Sequence, residues 1–167
     1  MAISARQVIM ETEKQLRQQL AKFIDWQEAH ADLAAAVEDF SADLRGRVPP
    51  GMPHSAWQLL EHMRIALSDI VEFCRNARHK SPPWPEGYWP KSANPPNDEA
   101  WDKSVGAIRA ELDVMRKLIN DPKQDLFAPL PGGSGQTLLR EVLLLADHNA
   151  YHLGQLVLVR RALGGWK

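Results

Sequence analysis

The sequence predicts an all-α protein, an antiparallel four-helix bundle with an extra short helix after the first long helix. Three observations lead to this fold class. Apolar residues recur at three- and four-residue steps in four long segments, which is the spacing of amphipathic helices. No stretch alternates apolar and polar residues for long enough to require a strand. Polar connections between long amphipathic helices are typical of antiparallel bundles.

The first half of the chain contains two of the long helices and the short one. The first long helix is predicted over residues 4–26, with Ser4 as its N-cap. A weaker helical pattern over residues 28–44 predicts the extra short helix. Prolines and a glycine in residues 47–53 interrupt the pattern, and we expect the next helix to begin at Ser55 and to run to about residue 79.

The second half of the chain contains the other two long helices. Residues 81–96 hold six prolines and a glycine, so no regular structure is expected there. A helix capped by Asp98 is predicted to reach about residue 120. The last helix is predicted from about residue 136 to Gly164, because glycine is a common residue just after a helix C-terminus.

Length, charge and cysteine content narrow the class of protein. A chain of 167 residues fits one domain, residues 1–167. The formal net charge of -1 provides no general attraction for nucleic acid or for an anionic membrane. A single cysteine excludes a disulfide within the chain. No apolar run is long enough to span a bilayer and the first residues soon turn polar, so we expect a cytoplasmic protein.

Three of the six histidines fall on inward faces of predicted helices. His148 and His152 are one turn apart on the last helix, and His62 shares a face with Leu59 and Ile70. Two imidazoles at this spacing can chelate one ion, and a third from a facing helix leaves a coordination position open for water or substrate. The same pattern is compatible with three hydrogen-bonded core histidines, and spacing alone does not choose between these interpretations.

Two motifs give the chain a resemblance to a known family. The segment WQLLEHM at residues 57–63 resembles the second-helix motif of the DinB-like (damage-inducible) superfamily. The segment DHNAYHLGQ at residues 147–155 is similar to the last-helix motif of that superfamily. The resemblance covers about residues 53–166 and is weaker before residue 49, where an extra helical stretch follows the first helix.

The resemblance implies a four-helix bundle of the DinB-like type, often a homodimer, in which three histidines hold a divalent metal. Matched residue by residue, these ligands are His62, His148 and His152. Zinc and nickel both suit imidazole ligands. The superfamily has no single activity: some members are transferases or isomerases that use a low-molecular-weight thiol such as bacillithiol or mycothiol, and some are described as metal-dependent hydrolases. Its name does not imply DNA repair by this chain.

Residues near the predicted ligands have supporting roles in this interpretation. Asp147 and Gln155 are expected to orient the ligand imidazoles, since a metal-bound histidine usually donates its second N–H to a neighbour. Trp84, Tyr88 and Trp89 lie in the proline-rich segment and are expected to form a lid that supplies an apolar pocket wall. The alternative for these aromatic residues is simple packing of a long loop onto the bundle.

Other residues that carry chemistry are placed away from the predicted metal. His30, His54 and His79 are near helix ends or in polar sequence, and we expect them at the surface. Cys74 lies more than three turns beyond His62 on the same helix, which is too far to join the same ion. We expect it to be a small core residue.

Two functions are compatible with these observations. The first is a metal-dependent enzyme in which the open position activates water or a thiol cofactor, that is, a hydrolase or a thiol-dependent transferase. The second is a non-catalytic bundle that binds a metal or a small molecule and has a stress-related role. It is motivated by Glu61, Glu141 and Asp147, none of which clearly shares the face of the ligands, so that no general base is assigned.

The expected partners are a small-molecule substrate and a second copy of the chain. Apolar positions around the first helix, such as Val8, Ile9 and Ile24, are candidates for the contact between two copies. Neither nucleic acid nor a membrane is expected as a partner, because the net charge is close to zero.

Overall fold

Helices provide the regular structure of this protein. The computed structural model describes residues 4–25 and 28–166. The five α-helices in that part of the chain are α1 (Ala5–Phe23), α2 (Leu33–Val37), α3 (Ala56–Arg75), α4 (Asp98–Asn120) and α5 (Leu138–Ala162). Short 3-10 turns lie at Ala42–Leu44 and Glu86–Tyr88. The same residues contain no strand, only an isolated antiparallel bridge between Pro129 and Thr137. The all-α prediction is confirmed.

The first residues of α1 and α3 are fixed by reciprocal side-chain caps. The hydroxyl of Ser4 accepts from the backbone N–H of Gln7, and the Gln7 side chain accepts from the backbone N–H of Ser4. Ser55 and Gln58 repeat this arrangement at α3. Each pair satisfies two N–H groups that the helix itself leaves unbonded. Both predicted N-caps are confirmed, whereas Trp26 lies outside the described residues.

The starts of the other two long helices differ slightly from those predicted: α4 begins one residue earlier and α5 about two residues later. Asn97, rather than Asp98, caps α4: its side chain accepts from the backbone N–H of Ala100. Asp98 is the first helical residue, where its charge lies at the positive end of the helix dipole. At α5 the cap is Thr137, whose hydroxyl accepts from Arg140, so the helix starts at Leu138.

The weak pattern over residues 28–44 forms much less helix than its length indicates. Only α2 and one 3-10 turn are present. The Asp32 carboxylate accepts from the backbone N–H of Ala35 and starts α2. The helix ends because Glu38 is extended and Asp39 has a φ of 51°, a left-handed conformation that a helix cannot continue through. The predicted extra short helix is confirmed, with a smaller extent.

Helix α3 is central in the packing. It contacts both α4 and α5, while α1 contacts α4 and α2 contacts α5. It ends at Arg75, short of residue 79, because the backbone of Asn76 is extended. The largest fully buried side chains of α3, α4 and α5 include Leu59, Leu60, Leu67, Trp101, Ile108, Met115, Ile119, Leu138, Leu145 and Leu156. None of the helices in the described ranges is both long and apolar enough to cross a membrane.

A buried arginine joins α1 to the C-terminal end of α4. Arg17 is 7% exposed and donates through Nη1 to the carbonyl oxygens of Ile119 at 2.6 Å and Asp121 at 3.2 Å. Its Nη2 donates to the carbonyl of Gln124 at 2.6 Å and to Glu13 at 2.6 Å. The last carbonyls of a helix have no partner within it, so Arg17 caps α4 from outside.

The first turns of α1 are not covered by the rest of the chain. Val8, Ile9 and Met10 are 51%, 66% and 63% exposed. Ile24, just after α1, is only 3% exposed and packs in the core. The expectation that Ile24 serves a contact between two copies is therefore wrong, because its surface is already buried within one chain.

Candidate metal centre

Three histidine side chains from α3 and α5 meet in the interior of the protein. His62 lies on α3, and His148 and His152 lie on successive turns of α5. The Nε2 atom of His62 is 3.1 Å from Nε2 of His152 and 3.1 Å from Nε2 of His148. Each histidine offers one ring nitrogen within 4.8 Å of the other two. The structure thus brings together the three residues predicted as ligands.

Hydrogen bonds at the far nitrogens determine where the imidazole protons lie. Nδ1 of His62 is 2.9 Å from the carbonyl oxygen of Tyr88, and since a carbonyl only accepts, Nδ1 carries the proton. Nδ1 of His152 donates to Oε1 of Gln155 at 2.8 Å. A neutral imidazole protonated at Nδ1 has a lone pair at Nε2. The unprotonated Nε2 atoms of His62 and His152 therefore lie only 3.1 Å apart.

Two unprotonated ring nitrogens this close repel each other unless a cation binds to both. Burial, and secondarily the neighbouring histidines, lower the pKa values of His62 and His152 to about 4, so a proton does not take that place at neutral pH. A divalent metal bonded tetrahedrally to imidazoles at about 2.0–2.1 Å places two ligand nitrogens roughly 3.3 Å apart. The observed separation of 3.1 Å is close to this value, and the donor set fits a divalent metal.

The third imidazole of the cluster, that of His148, is held by fewer hydrogen bonds than the other two. Its Nδ1 atom is buried and has no hydrogen-bond partner in the described part of the chain. Burial and then His62 lower its pKa, while Asn149 and Asp147 act in the opposite direction. The Asp147 side chain is exposed and makes no hydrogen bond to any of the three imidazoles in the described ranges. Of the two residues expected to orient the ligands, the structure brings only Gln155 to a ring nitrogen.

An indole ring covers one face of His62. The Trp89 and His62 rings have centroids 3.8 Å apart and planes within 2° of parallel. His54 stacks on Trp89 as well, at 4.1 Å and 18°. Two imidazoles this close to one indole centroid would collide on the same face, so they lie on opposite faces. Trp89 therefore separates His62 from His54.

The three aromatic residues of the proline-rich segment take different positions. Trp89 contacts the histidine rings, and Tyr88 contributes its backbone carbonyl to His62. The Tyr88 hydroxyl points away from the cluster and donates to Oδ2 of Asp69 at 2.6 Å. Trp84 is 74% exposed and lies 5.4 Å from the Tyr88 ring. The segment thus covers the cluster through Tyr88 and Trp89, and Trp84 is not brought to it.

The comparisons with known proteins agree with this geometry. Residues 25–156 match the family model of the DinB superfamily, a range that includes all three clustered histidines. The chain belongs to the DinB superfamily. No curated protein and no solved structure matches the chain. The superfamily resemblance carried by the two sequence motifs is therefore confirmed over most of the chain.

Two histidines of this DinB protein are not at the surface positions expected from sequence. His54 is half-buried against Trp89, and burial lowers its pKa. His79 places Nε2 at 2.7 Å from Oδ1 of Asp69, the same carboxylate that binds Tyr88. Only weak sequence patterns indicate that these residues lie near the cluster. His54 is about two helical turns before His62, and Asp69 is about two turns after it.

The carboxylates of Glu61 and Glu141 already have partners. Glu61 receives two hydrogen bonds from Arg64, at 2.9 and 2.6 Å, and one from Ser104 at 2.6 Å. Glu141 is 2% exposed and is paired with Arg140 at 2.6 Å. Neither side chain joins the cluster of possible metal ligands found among the described residues.

The single cysteine of this DinB protein is a core residue. Cys74 is 8% exposed and belongs to the hydrophobic core. Burial, followed by the charge of Glu141, raises the pKa of its thiol to about 12. The thiol therefore stays protonated at neutral pH, as expected for a residue outside the metal site.

An apolar cavity borders the histidine cluster. It has a volume of about 180 Å³ and is lined by Met52, Pro53, His54, Leu59, Gln155, Leu158 and Val159. Two of these residues contact the site directly, because Gln155 binds His152 and His54 stacks on Trp89. A larger cavity of about 380 Å³, lined in part by Met63, lies between α4 and α5 and includes none of the three clustered histidines.

Proposed function

We propose that this protein is a metal-dependent enzyme whose centre is a zinc or nickel ion held by His62, His148 and His152. The observation that supports it best is the separation of only 3.1 Å between the unprotonated Nε2 atoms of His62 and His152, whose pKa values are too low for a proton to bridge them at neutral pH. Three protein ligands leave one coordination position for water, a thiol or a substrate.

The residues around the centre prepare it for such an ion. A bound divalent metal would lower the pKa of water or of a thiol at the open position. The carbonyl of Tyr88 and the side chain of Gln155 hold two imidazoles as the tautomers with a free Nε2. Trp89 excludes water from one face of His62. These contacts favour metal binding without any change in the conformation of the histidines.

The substrate we infer is a small molecule with an apolar group. The neighbouring cavity of about 180 Å³ is lined mainly by Met52, Leu59, Leu158 and Val159. An engineered apolar cavity of about 150 Å³ binds benzene. A group of the size of one aromatic ring, or a short branched alkyl chain, therefore fits beside the centre.

Two reaction classes match a centre of this kind, hydrolysis by activated water and transfer to a low-molecular-weight thiol. They are separated by offering the metal-loaded protein an aromatic ester alone, and an aromatic electrophile with and without a thiol such as bacillithiol or mycothiol. Acid product from the ester indicates hydrolysis, whereas a thioether that appears only with the thiol indicates transfer.

A non-catalytic metal- or small-molecule-binding bundle, with a stress-related role, is the competing candidate. It is favoured by the carboxylates near the cluster, because Glu61 is engaged by Arg64 and Ser104 and Asp69 is engaged by His79 and Tyr88. None of these groups is free to act as a general base. Metal binding without turnover of esters or electrophiles would support this candidate.

We infer that α1, α3, α4 and α5 form an antiparallel bundle that associates as a homodimer. The packing of α3 on α4 and α5, and of α1 on α4, supports the bundle. The exposed side chains Val8, Ile9 and Met10 provide an apolar surface for a second copy. Light scattering tests the dimer: Ile9→Glu should give monomer, and the control Val48→Glu, at a 45% exposed apolar residue elsewhere, should not. A wild-type monomer at micromolar concentration would contradict it.

Metal content tests the proposal directly. The protein is purified without a histidine tag, and metal is measured by plasma mass spectrometry in the wild type, His62→Ala, His148→Ala and the control His30→Ala. His30 is exposed and is not one of the clustered histidines. We expect near-stoichiometric zinc or nickel in the wild type and the control, and its loss in the other two variants. No metal in the wild type after incubation with both ions would refute the proposal.

A further inference from the structure

The segment that covers the histidine cluster has little regular structure of its own. Residues 81–96 contain only the 3-10 turn Glu86–Tyr88. That turn is compact: a Cβ atom at Gly87 would lie 2.6 Å from Cβ of Pro82 and 2.9 Å from Cδ of Pro83. With no helix or sheet ladder to hold it, the turn depends on side-chain contacts for its position on α3.

A carboxylate of α3 makes the polar side-chain contacts to this turn. Oδ2 of Asp69 accepts from the Tyr88 hydroxyl at 2.6 Å, and Oδ1 lies 2.7 Å from Nε2 of His79. The side chains of Asp69 and His79 are 13% and 18% exposed, so water competes little for these hydrogen bonds. Asp69 thus binds the chain at both ends of the connection between α3 and the turn.

Tyr88, whose hydroxyl is bound by Asp69, also contacts the histidine cluster through its backbone carbonyl. The carbonyl oxygen of Tyr88 accepts from Nδ1 of His62 at 2.9 Å. The path from Asp69 through Tyr88 to His62 therefore consists of two hydrogen bonds and one residue of backbone. Both His62 and Asp69 are on α3, so the turn is fixed relative to the helix that carries the ligand.

We propose that Asp69 is a positioning residue for His62: by holding Tyr88 it fixes the orientation and the Nδ1–H tautomer of the imidazole. This inference rests on the proposed role of His62 as a metal ligand. Groups that orient a ligand imidazole typically change metal affinity about 10–100-fold when they are removed. Asp69 contacts no ligand, so its effect must pass through Tyr88.

The test compares Tyr88→Phe and Asp69→Leu with Ser68→Ala. Tyr88→Phe removes one hydroxyl and leaves the backbone carbonyl, and Asp69→Leu removes both acceptor oxygens but keeps a side chain of similar size. Ser68 is the matched control, because it neighbours Asp69 on α3 and its hydroxyl binds Glu111 on α4 at 3.3 Å. Circular dichroism confirms that each variant is folded. Cobalt(II) is the probe, and its visible spectrum reports binding at the three histidines.

Two measurements separate positioning from a general loss of structure. Cobalt(II) affinity should fall about 10–100-fold in Tyr88→Phe and Asp69→Leu and stay unchanged in Ser68→Ala. In the metal-free proteins, the NMR signal of the His62 Nδ1–H proton should be present in the wild type and the control and lost to water exchange in the two test variants. Folded test variants that keep both the affinity and the signal would overturn the proposal.

The two proposals fail in different ways. If the wild type binds no cobalt(II), zinc or nickel, the metal-dependent function is wrong. The NMR signal of His62 Nδ1–H in the metal-free proteins still decides whether Asp69 positions this imidazole. If the wild type binds the metal and Asp69→Leu binds it equally well, the metal centre stands and the role of Asp69 is refuted.

Discussion

The carbonyl oxygen of Tyr88 lies 2.9 Å from Nδ1 of His62, and this contact decides which nitrogen of the imidazole faces the other two histidines. A carbonyl accepts and never donates, so the Nε2 atom of His62 keeps its lone pair. In the same way, Oε1 of Gln155 on α5 accepts from Nδ1 of His152 at 2.8 Å, so Nε2 of His152 keeps its lone pair. Two independent contacts thus prepare two nitrogens of the centre.

Removal of the Gln155 contact should weaken metal binding. In Gln155→Leu, His152 loses the acceptor that fixes its tautomer, and we expect zinc affinity to fall about 10–100-fold. Gln155→Glu keeps an acceptor at the same place and should retain the affinity. Competition with a chromophoric chelator measures both. Equal affinity in wild type and Gln155→Leu would show that the hydrogen bond does not orient the ligand.

Trp89 should shield His62 from reagents in solution. Its indole lies on the imidazole at 3.8 Å, so Trp89→Ala opens one face of the ring to water. In the metal-free protein we expect faster modification of His62 by diethyl pyrocarbonate, measured by peptide mass spectrometry. Trp84→Ala is the control, since Trp84 belongs to the same segment but is 74% exposed. A rate unchanged by Trp89→Ala would contradict the shielding role.

The features of the fold and the site that could be predicted depend on residues close together in the sequence. The capping pairs of Ser4 with Gln7 and of Ser55 with Gln58 lie within one helical turn, so the sequence alone indicates them. The i, i+4 spacing of His148 and His152 is likewise local. Their convergence with His62 follows once the helix faces are known, which the superfamily motifs indicate.

The contacts made by the proline-rich segment could not be predicted. His54 meets Trp89 across 35 positions of sequence, and Asp69 meets Tyr88 through a turn with no periodic pattern. Helix periodicity predicts which face is buried, but an irregular segment has no face to predict. The surface positions expected for His54 and His79 were wrong for this reason.

Cys74 should be unreactive in the native protein. Burial raises the pKa of its thiol from an ordinary value of 9.0 to about 12, so the reactive thiolate is scarce at neutral pH. We expect slow reaction with Ellman's reagent at pH 8 and full reaction in denaturant. The raised pKa also makes stability depend on pH. Above about pH 9 the unfolded chain loses the thiol proton and the folded chain keeps it, so the free energy of unfolding falls as pH rises. The Cys74→Ala variant should not show this loss of stability at high pH. Rapid reaction of the native protein with Ellman's reagent would contradict the assignment of Cys74 to the core.

Arg17 should contribute strongly to stability although it lies far from the histidines. It is 7% exposed and donates to three carbonyl oxygens at the end of α4, of which that of Ile119 is at 2.6 Å. Arg17→Met keeps an apolar stem but removes the donor to the buried carbonyl oxygen of Ile119, which should cost about 1–3 kcal/mol in the free energy of unfolding. Urea denaturation measures the loss.

The control for Arg17 is a matched arginine at the surface. Arg47 pairs with Asp43 at the same i, i+4 spacing as Arg17 and Glu13, but its side chain is 63% exposed. Arg47→Met should change the free energy of unfolding by less than about 0.5 kcal/mol, because exposed ion pairs contribute little. Equal losses in the two variants would show that Arg17 acts through charge in general. A loss confined to Arg17→Met, with metal affinity unchanged, places its role in the cap of α4.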